Sequence, residues 1–254
     1  MKIFKSKILV LLLTMVLAIT FVGCGKINTM SRIKKNNKVV MGTNAEFPPF
    51  EYRNDKGEVD GFDPAMAKEI AKELGVELVI EDMAFDSLLN ALSSGKIDFV
   101  AAGMSVTPER LENCDFSESY YTASQMIIVR KDNTEIKGRD DLKGKKLGVQ
   151  EGTTGDLEAS EIENAEVNRF KKAIDAVLDL KNGKIDAVIL DASPAKVFVE
   201  KNDDLMILDE ELTNEEYAIA VRKGDKEFLE VINKVIRDLK ASGKYDELVK
   251  QYIE

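Results

Sequence analysis

The sequence predicts an α/β protein of two lobes, each built on a mostly parallel sheet. Three observations predict it. Short apolar strands alternate with amphipathic helices along the body, the pattern of strand–helix–strand units. That body, roughly residues 38 to 254, suits two lobes of about 100 residues each. A helix–turn–strand segment also occurs twice: Ser87-Leu-Leu-Asn-Ala-Leu-Ser-Ser-Gly-Lys-Ile-Asp98 matches Ala176-Val-Leu-Asp-Leu-Lys-Asn-Gly-Lys-Ile-Asp186. One copy falls in each half, either by duplication or as a common unit used twice.

The chain opens with the basic segment Met1-Lys-Ile-Phe-Lys-Ser-Lys7 and an apolar run over 8–22 whose only polar residues are Thr14 and Thr20. The run is short for a membrane span and fits a secretory signal peptide over 1–23, with an uncleaved anchor as the other reading. Both readings put the body outside the cytoplasmic membrane. The run ends in Phe21-Val-Gly-Cys24, which resembles the lipidation site of bacterial lipoproteins, with Phe21 a departure from the usual aliphatic residue. A diacylglycerol on Cys24 would supply two buried chains, enough for stable membrane anchoring. Residues 24–37 show little periodicity and read as a flexible, lipidated tether.

Strands are expected at 39–43, 77–80 and 99–102, with helices at 63–74 (opened by Asp63-Pro64 and closed near Gly75) and 87–94. The second half repeats the scheme. Strands fall at 146–149 and 187–190, helices from 156 onward, at 173–180 and at 194–200. Helices at 226–241 and 245–253 close the chain. In both repeat copies a glycine after the helix, Gly95 or Gly183, supplies a left-handed cap before Lys-Ile-Asp leads into a strand.

The most informative stretch is Phe99-Val-Ala-Ala-Gly-Met-Ser-Val-Thr-Pro-Glu-Arg110. Thr107 reads as a helix N-cap and Pro108 as the first helical residue. Arg110 then lies in the first turn, where the helix dipole disfavours a cation. It either pairs with Glu109 or Glu112 on the surface or clamps an anion with backbone N–H groups.

This stretch, with Asp115-Phe-Ser-Glu-Ser-Tyr-Tyr121, resembles the carboxylate-binding segment of the extracellular solute-binding proteins, family 3, which feed polar amino acids to ABC transporters. The resemblance covers nearly the whole chain after the leader. It implies a two-lobed, type II periplasmic-binding-protein-like fold with the ligand in the interlobe cleft. Two hinge strands are implied, placed on Gln125-Met-Ile-Ile-Val-Arg-Lys-Asp132 and Tyr217-Ala-Ile-Ala-Val-Arg-Lys-Gly224. Lobe 1 is then 38–128 with 221–254, and lobe 2 is 129–220.

The same resemblance implies the site. Arg110 would clamp the α-carboxylate of a free amino acid, with Thr154 of Gln150-Glu-Gly-Thr-Thr-Gly-Asp156 as a second contact. Gly103, Met104 and Ser105 would serve the ammonium and carboxylate. Asp191 would receive the ammonium, although it or Ser193 could simply cap the following helix. Phe47 and Phe85 would form an aromatic slot, each otherwise a core residue. Many binders of basic amino acids carry Asp where this chain has Asn44, so Glu151, helped by Glu46, is the expected negative end of the pocket.

Composition bounds the alternatives. Removing 1–23 takes three lysines and no acid, moving the net charge from −10 to −13 and arguing against nucleic acid as partner. The chain has no histidine, which excludes His-dependent triads and the commonest transition-metal sites. No cofactor or metal is expected. Of the two cysteines, Cys24 is assigned to lipid and Cys114 reads as a small buried hydrophobe. The expected function is capture of a polar L-amino acid, cationic ones first, and delivery to a membrane permease without catalysis. A cyclohexadienyl dehydratase-like enzyme on the same scaffold and an extracellular sensor are the rival readings.

Overall fold

Strands Lys38–Thr43, Glu77–Asp82 and Phe99–Val100 run parallel, with the first in the middle, in a computed structural model that describes residues 28–254. Ala220–Arg222 pairs antiparallel with Phe99–Val100, and Cys114–Phe116 in turn pairs antiparallel with Ala220–Arg222 at the sheet edge. The second lobe has the same plan. Glu166–Phe170, Lys146–Gln150 and Ala187–Asp191 run parallel, and antiparallel strands Gln125–Arg130 and Leu205–Glu211 follow. Val39, Met41 and Phe99 contribute nothing to the surface and share one apolar core with Ile70, Phe228 and Ile232 from helices Phe62–Leu74 and Lys226–Ser242.

The repeated segment has the same job in both lobes. Asp98 and Asp186 each accept a backbone N–H from the central strand, from Val40 and Lys146, both at 2.8 Å. Gly95 and Gly183 take the left-handed conformation expected of them. The Val-Arg-Lys segments prove to be partners of this unit. Arg222 donates to the carbonyls of Leu92 and Ile97, and Arg130 to those of Leu180 and Ile185. Each arginine ties its strand to the turn of its own lobe.

That role corrects the expected hinge. Gln125–Arg130 lies wholly in the second sheet and Ala220–Arg222 wholly in the first. The chain crosses between lobes just before each, where Tyr121–Ala123 pairs antiparallel with Glu215–Tyr217. A lobe boundary at 128/129 would cut a single strand, so the first crossing moves to about residue 123 and the second to about 215.

Residues 28–37 are not a flexible tether. Thr29–Asn36 is a helix, capped by the Asn28 side chain and burying Thr29, Met30 and Ile33. Arg32 reaches over the first lobe's turn to the carbonyls of Gly95 and Ile97 and the carboxylate of Asp98. Burial of a helix face and a charge pair on a nearly inaccessible aspartate outweighs the weak intrinsic propensity of the segment. The leader, Cys24 and residues 25–27 lie outside the described residues.

Candidate functional site

The carboxyl ends of parallel strands from both lobes meet at one cavity, the position where open α/β sheets bind ligands. Asn44 follows Lys38–Thr43, the segment Ala102–Ser105 follows Phe99–Val100, and Gln150 and Asp191 end Lys146–Gln150 and Ala187–Asp191. The space these residues enclose is small and largely shut off from solvent.

Of the expected site residues, Asn44, Phe47, Phe85, Gly103, Ser105, Arg110, Thr154 and Asp191 line this cavity. Thr107 caps the helix Pro108–Asn113, accepting the Arg110 N–H at 3.2 Å, and so fixes where the arginine starts. The Arg110 guanidinium donates to the Ser105 carbonyl at 2.7 Å and to the Gly152 carbonyl of the other lobe at 3.0 Å. It also lies over the Phe85 ring, 5.4 Å from its centre. Arg110 is therefore a buried cation of the cleft and not a surface partner of Glu109 or Glu112. Burial lowers its pKa, while Glu215 and Asp191 oppose that shift.

Asn44 joins the lobes as well. Its amide N donates to the Met83 carbonyl at 2.9 Å and its oxygen accepts from Gln150 at 2.8 Å. Gly103 has φ +51°, and a Cβ there would sit 3.0 Å from the Phe47 ring, so no other residue fits without shifting that wall. Its N–H is committed to Asp63 at 2.8 Å, leaving its carbonyl for a ligand. Asp191 does not cap the helix Ala192–Glu200 that it precedes; its carboxyl accepts from the Tyr217 hydroxyl. Burial, reinforced by Glu215, pushes the Asp191 carboxyl up to about 7.

Three expected site residues fall elsewhere. Glu151 pairs with Lys171 at 2.8 Å and does not line the cavity; Lys171 also holds Asp86 across the lobes at 2.7 Å. Glu46 is likewise paired, with Lys172. Met104 is 1% exposed, packed in a core cluster of the first lobe.

The cavity holds a further acid, Glu51, which sequence reasoning missed. The short hairpin Glu46–Phe47 with Glu51–Arg53 sets Glu51 opposite Phe47. Glu51 is fully buried and lines the cavity; its carboxyl faces that of Asp63, with which it can share a proton, and no other donor among the described residues reaches it. Desolvation, and then the neighbouring Asp63, holds its pKa well above the ordinary carboxylate range. Asp63 itself is pushed up to about 7 by burial, although Gly103 and Tyr120 donate to it. Gln150 and Thr153 complete the lining. The alternation that would flag a strand is too short around Glu51 to show that its carboxyl points inward.

Fold and site together define a solute-binding protein of the type II periplasmic-binding fold. The chain belongs to the bacterial extracellular solute-binding proteins, family 3, whose model matches residues 39–254. It is 40% identical to a probable histidine-binding protein of Campylobacter jejuni over 84% of this chain and 83% of that one. It is 36% identical to the arginine-binding extracellular protein ArtP of Bacillus subtilis over 97% and 98%. Among solved structures, the arginine-bound form of truncated ArgBP from T. maritima is 48% identical with TM-score 0.80, covering 82% of this chain and 99% of that one.

Proposed function

We propose that the protein captures a free cationic L-amino acid, arginine first, closes on it, and presents the closed form to an ABC-type permease. Glu51 carries this reading. A desolvated carboxyl whose one hydrogen-bonding neighbour is another buried acid, Asp63, is costly to ionise unless a ligand supplies donors. A guanidinium supplies them in a planar fork that matches a carboxylate, and the Phe47 face beside it suits the same planar cation. At the other end Arg110 takes the ligand carboxylate and Asp191 its ammonium. The lobes already meet through Asn44–Gln150, Arg110–Gly152 and Asp86–Lys171, and a ligand touching both lobes favours that closed state. The names of the relatives support the ligand class.

The test is a thermal-shift panel of the common amino acids and cystine. Arginine at about 100 times its dissociation constant should add about 2.7 kcal/mol of stability, roughly 5–10 °C for a body of this size. Glu51→Gln should abolish the preference for arginine over glutamine. A larger response to glutamine in the native protein would sink the assignment of Glu51. No catalysis is part of the proposal: incubation with arogenate should release no phenylalanine. Lipid anchoring through Cys24 rests on the Val-Gly-Cys end of the leader, and a fatty-acid label that persisted in Cys24→Ala would remove it.

A further inference from the structure

Hydroxyl protons at the cleft point away from the ligand space, and one carboxylate takes them. Glu215, on a crossing strand, accepts through Oε2 from the Ser105 hydroxyl of the first lobe and from the Thr154 hydroxyl of the second, the latter at 2.7 Å. Its Oε1 accepts from Thr213 at 2.7 Å. Ser105 and Thr154 line the cavity, whereas Glu215 lines the outer groove behind them with Val106, Thr107 and Asn214. Glu215 therefore lies behind the wall.

We propose that Glu215 is a positioning residue that makes the site selective for an α-ammonium: by taking both hydroxyl protons it leaves Ser105 and Thr154 able only to accept. A serine or threonine hydroxyl has one proton and two lone pairs. With the proton spent on Glu215, Ser105 Oγ has nothing to donate to a carboxylate and its lone pairs are open to an N–H donor. Thr154 Oγ1 already accepts from Gln125 at 3.1 Å, so Ser105 is the main acceptor for the ligand. An ammonium needs such acceptors, and Ser105 and Asp191 provide them from opposite lobes. The charge of Glu215, which helps push Asp191 up, is itself lowered in cost by a cation placed between them. The carboxylate of the ligand is left to Arg110. This inference rests on the amino-acid-binding reading above.

The experiment compares arginine with 5-guanidinopentanoate, which lacks the ammonium, and agmatine, which lacks the carboxylate, by titration calorimetry. Glu215→Leu should cut arginine's advantage over 5-guanidinopentanoate by about tenfold or more, and change its advantage over agmatine by less than about threefold. Glu215→Gln keeps an acceptor oxygen and should retain most of the ammonium selectivity. In a Ser105→Ala background Glu215→Leu should add little, because its effect runs through that hydroxyl. An unchanged arginine to 5-guanidinopentanoate ratio in Glu215→Leu, or an equal loss for all three ligands, overturns the proposal while leaving the binding reading intact. If Glu215→Leu does not fold, Ser105→Ala alone carries the test: it must lose the ammonium selectivity, and retention overturns the proposal. A native protein that binds no arginine removes the underlying reading instead.

Discussion

Glu51 and Asp191 are acids whose folded pKa lies above the ordinary carboxylate value, Asp191 at about 7. Ionising them costs folding free energy, so the contribution of Asp191 to the ligand-free fold declines as pH rises from about 4 to about 7, and that of Glu51 declines as pH rises toward its own raised pKa. A bound cationic amino acid reverses the preference by favouring the carboxylate forms. Binding should therefore release protons, and affinity should rise as pH passes through about 7, where Asp191 ionises. With Asp191 as the titrating group, arginine should bind about tenfold more weakly at pH 6 than at pH 8. Calorimetry in buffers of different ionisation enthalpy checks both the sign and the proton count. Gly103→Ala should cost about 1–3 kcal/mol, because a Cβ at positive φ meets the Phe47 ring. Denaturant unfolding measures it, and a neutral result would show that the ring moves freely. Arg110 and Thr107 were legible because a capped helix start places the arginine by local rules. Glu51 was not, since its burial is decided by a hairpin of a few residues and by the aspartate and tyrosine that pack around it.

At the scale of elements, most strands and helices of the two sheets follow from period and caps. The exceptions share a cause. The helix Thr29–Asn36 has only Met30 and Ile33 on its apolar face, and its stability comes from contacts distant in sequence, through Arg32 to Asp98 and Thr29 to Asp225. Ile33→Ala should lose about 2–5 kcal/mol, the usual range for emptying a fully buried aliphatic site. Chemical denaturation of residues 28–254 and of the variant decides; a loss under about 0.5 kcal/mol, the range for surface substitutions, would mean the helix contributes little. The Val-Arg-Lys segments were visible as a pair, but their meaning was not. Nothing local shows that each arginine reaches a turn 55 residues away in one lobe and 125 in the other.

At the scale of the molecule, two lobes of one topology close on a cavity lined by one buried cation, Arg110, and two buried acids, Glu51 and Asp191. The lobe count was legible from length and from the repeated segment. The place where the chain changes lobe was not, because strands inside a sheet and strands between lobes have the same apolar composition. The closed arrangement makes a further expectation. Removing the Asn44–Gln150 bridge by Gln150→Ala should weaken closure and cost affinity by about 1–3 kcal/mol, since Asn44 would keep a buried oxygen without its donor. Scattering measurements with and without arginine should then show a larger shift in radius of gyration for the variant than for the native protein. Equal shifts would assign closure to the other bridges.

The pairing of Tyr121–Ala123 with Glu215–Tyr217 has one more consequence. Ala123 stands directly opposite Glu215, so the chain leaves the first lobe and re-enters it at neighbouring points. The second lobe is thus a cassette hung on a single doorway, and each lobe fastens its own arginine to its own turn. A two-residue turn joining Ala123 to Glu215 would convert the doorway into a hairpin and excise the cassette. The remaining lobe should fold cooperatively with its helices intact, and it should no longer bind amino acids, having lost Thr154, Gln150 and Asp191. An unfolded product by circular dichroism would show that the lobes depend on each other for stability as well as for the site.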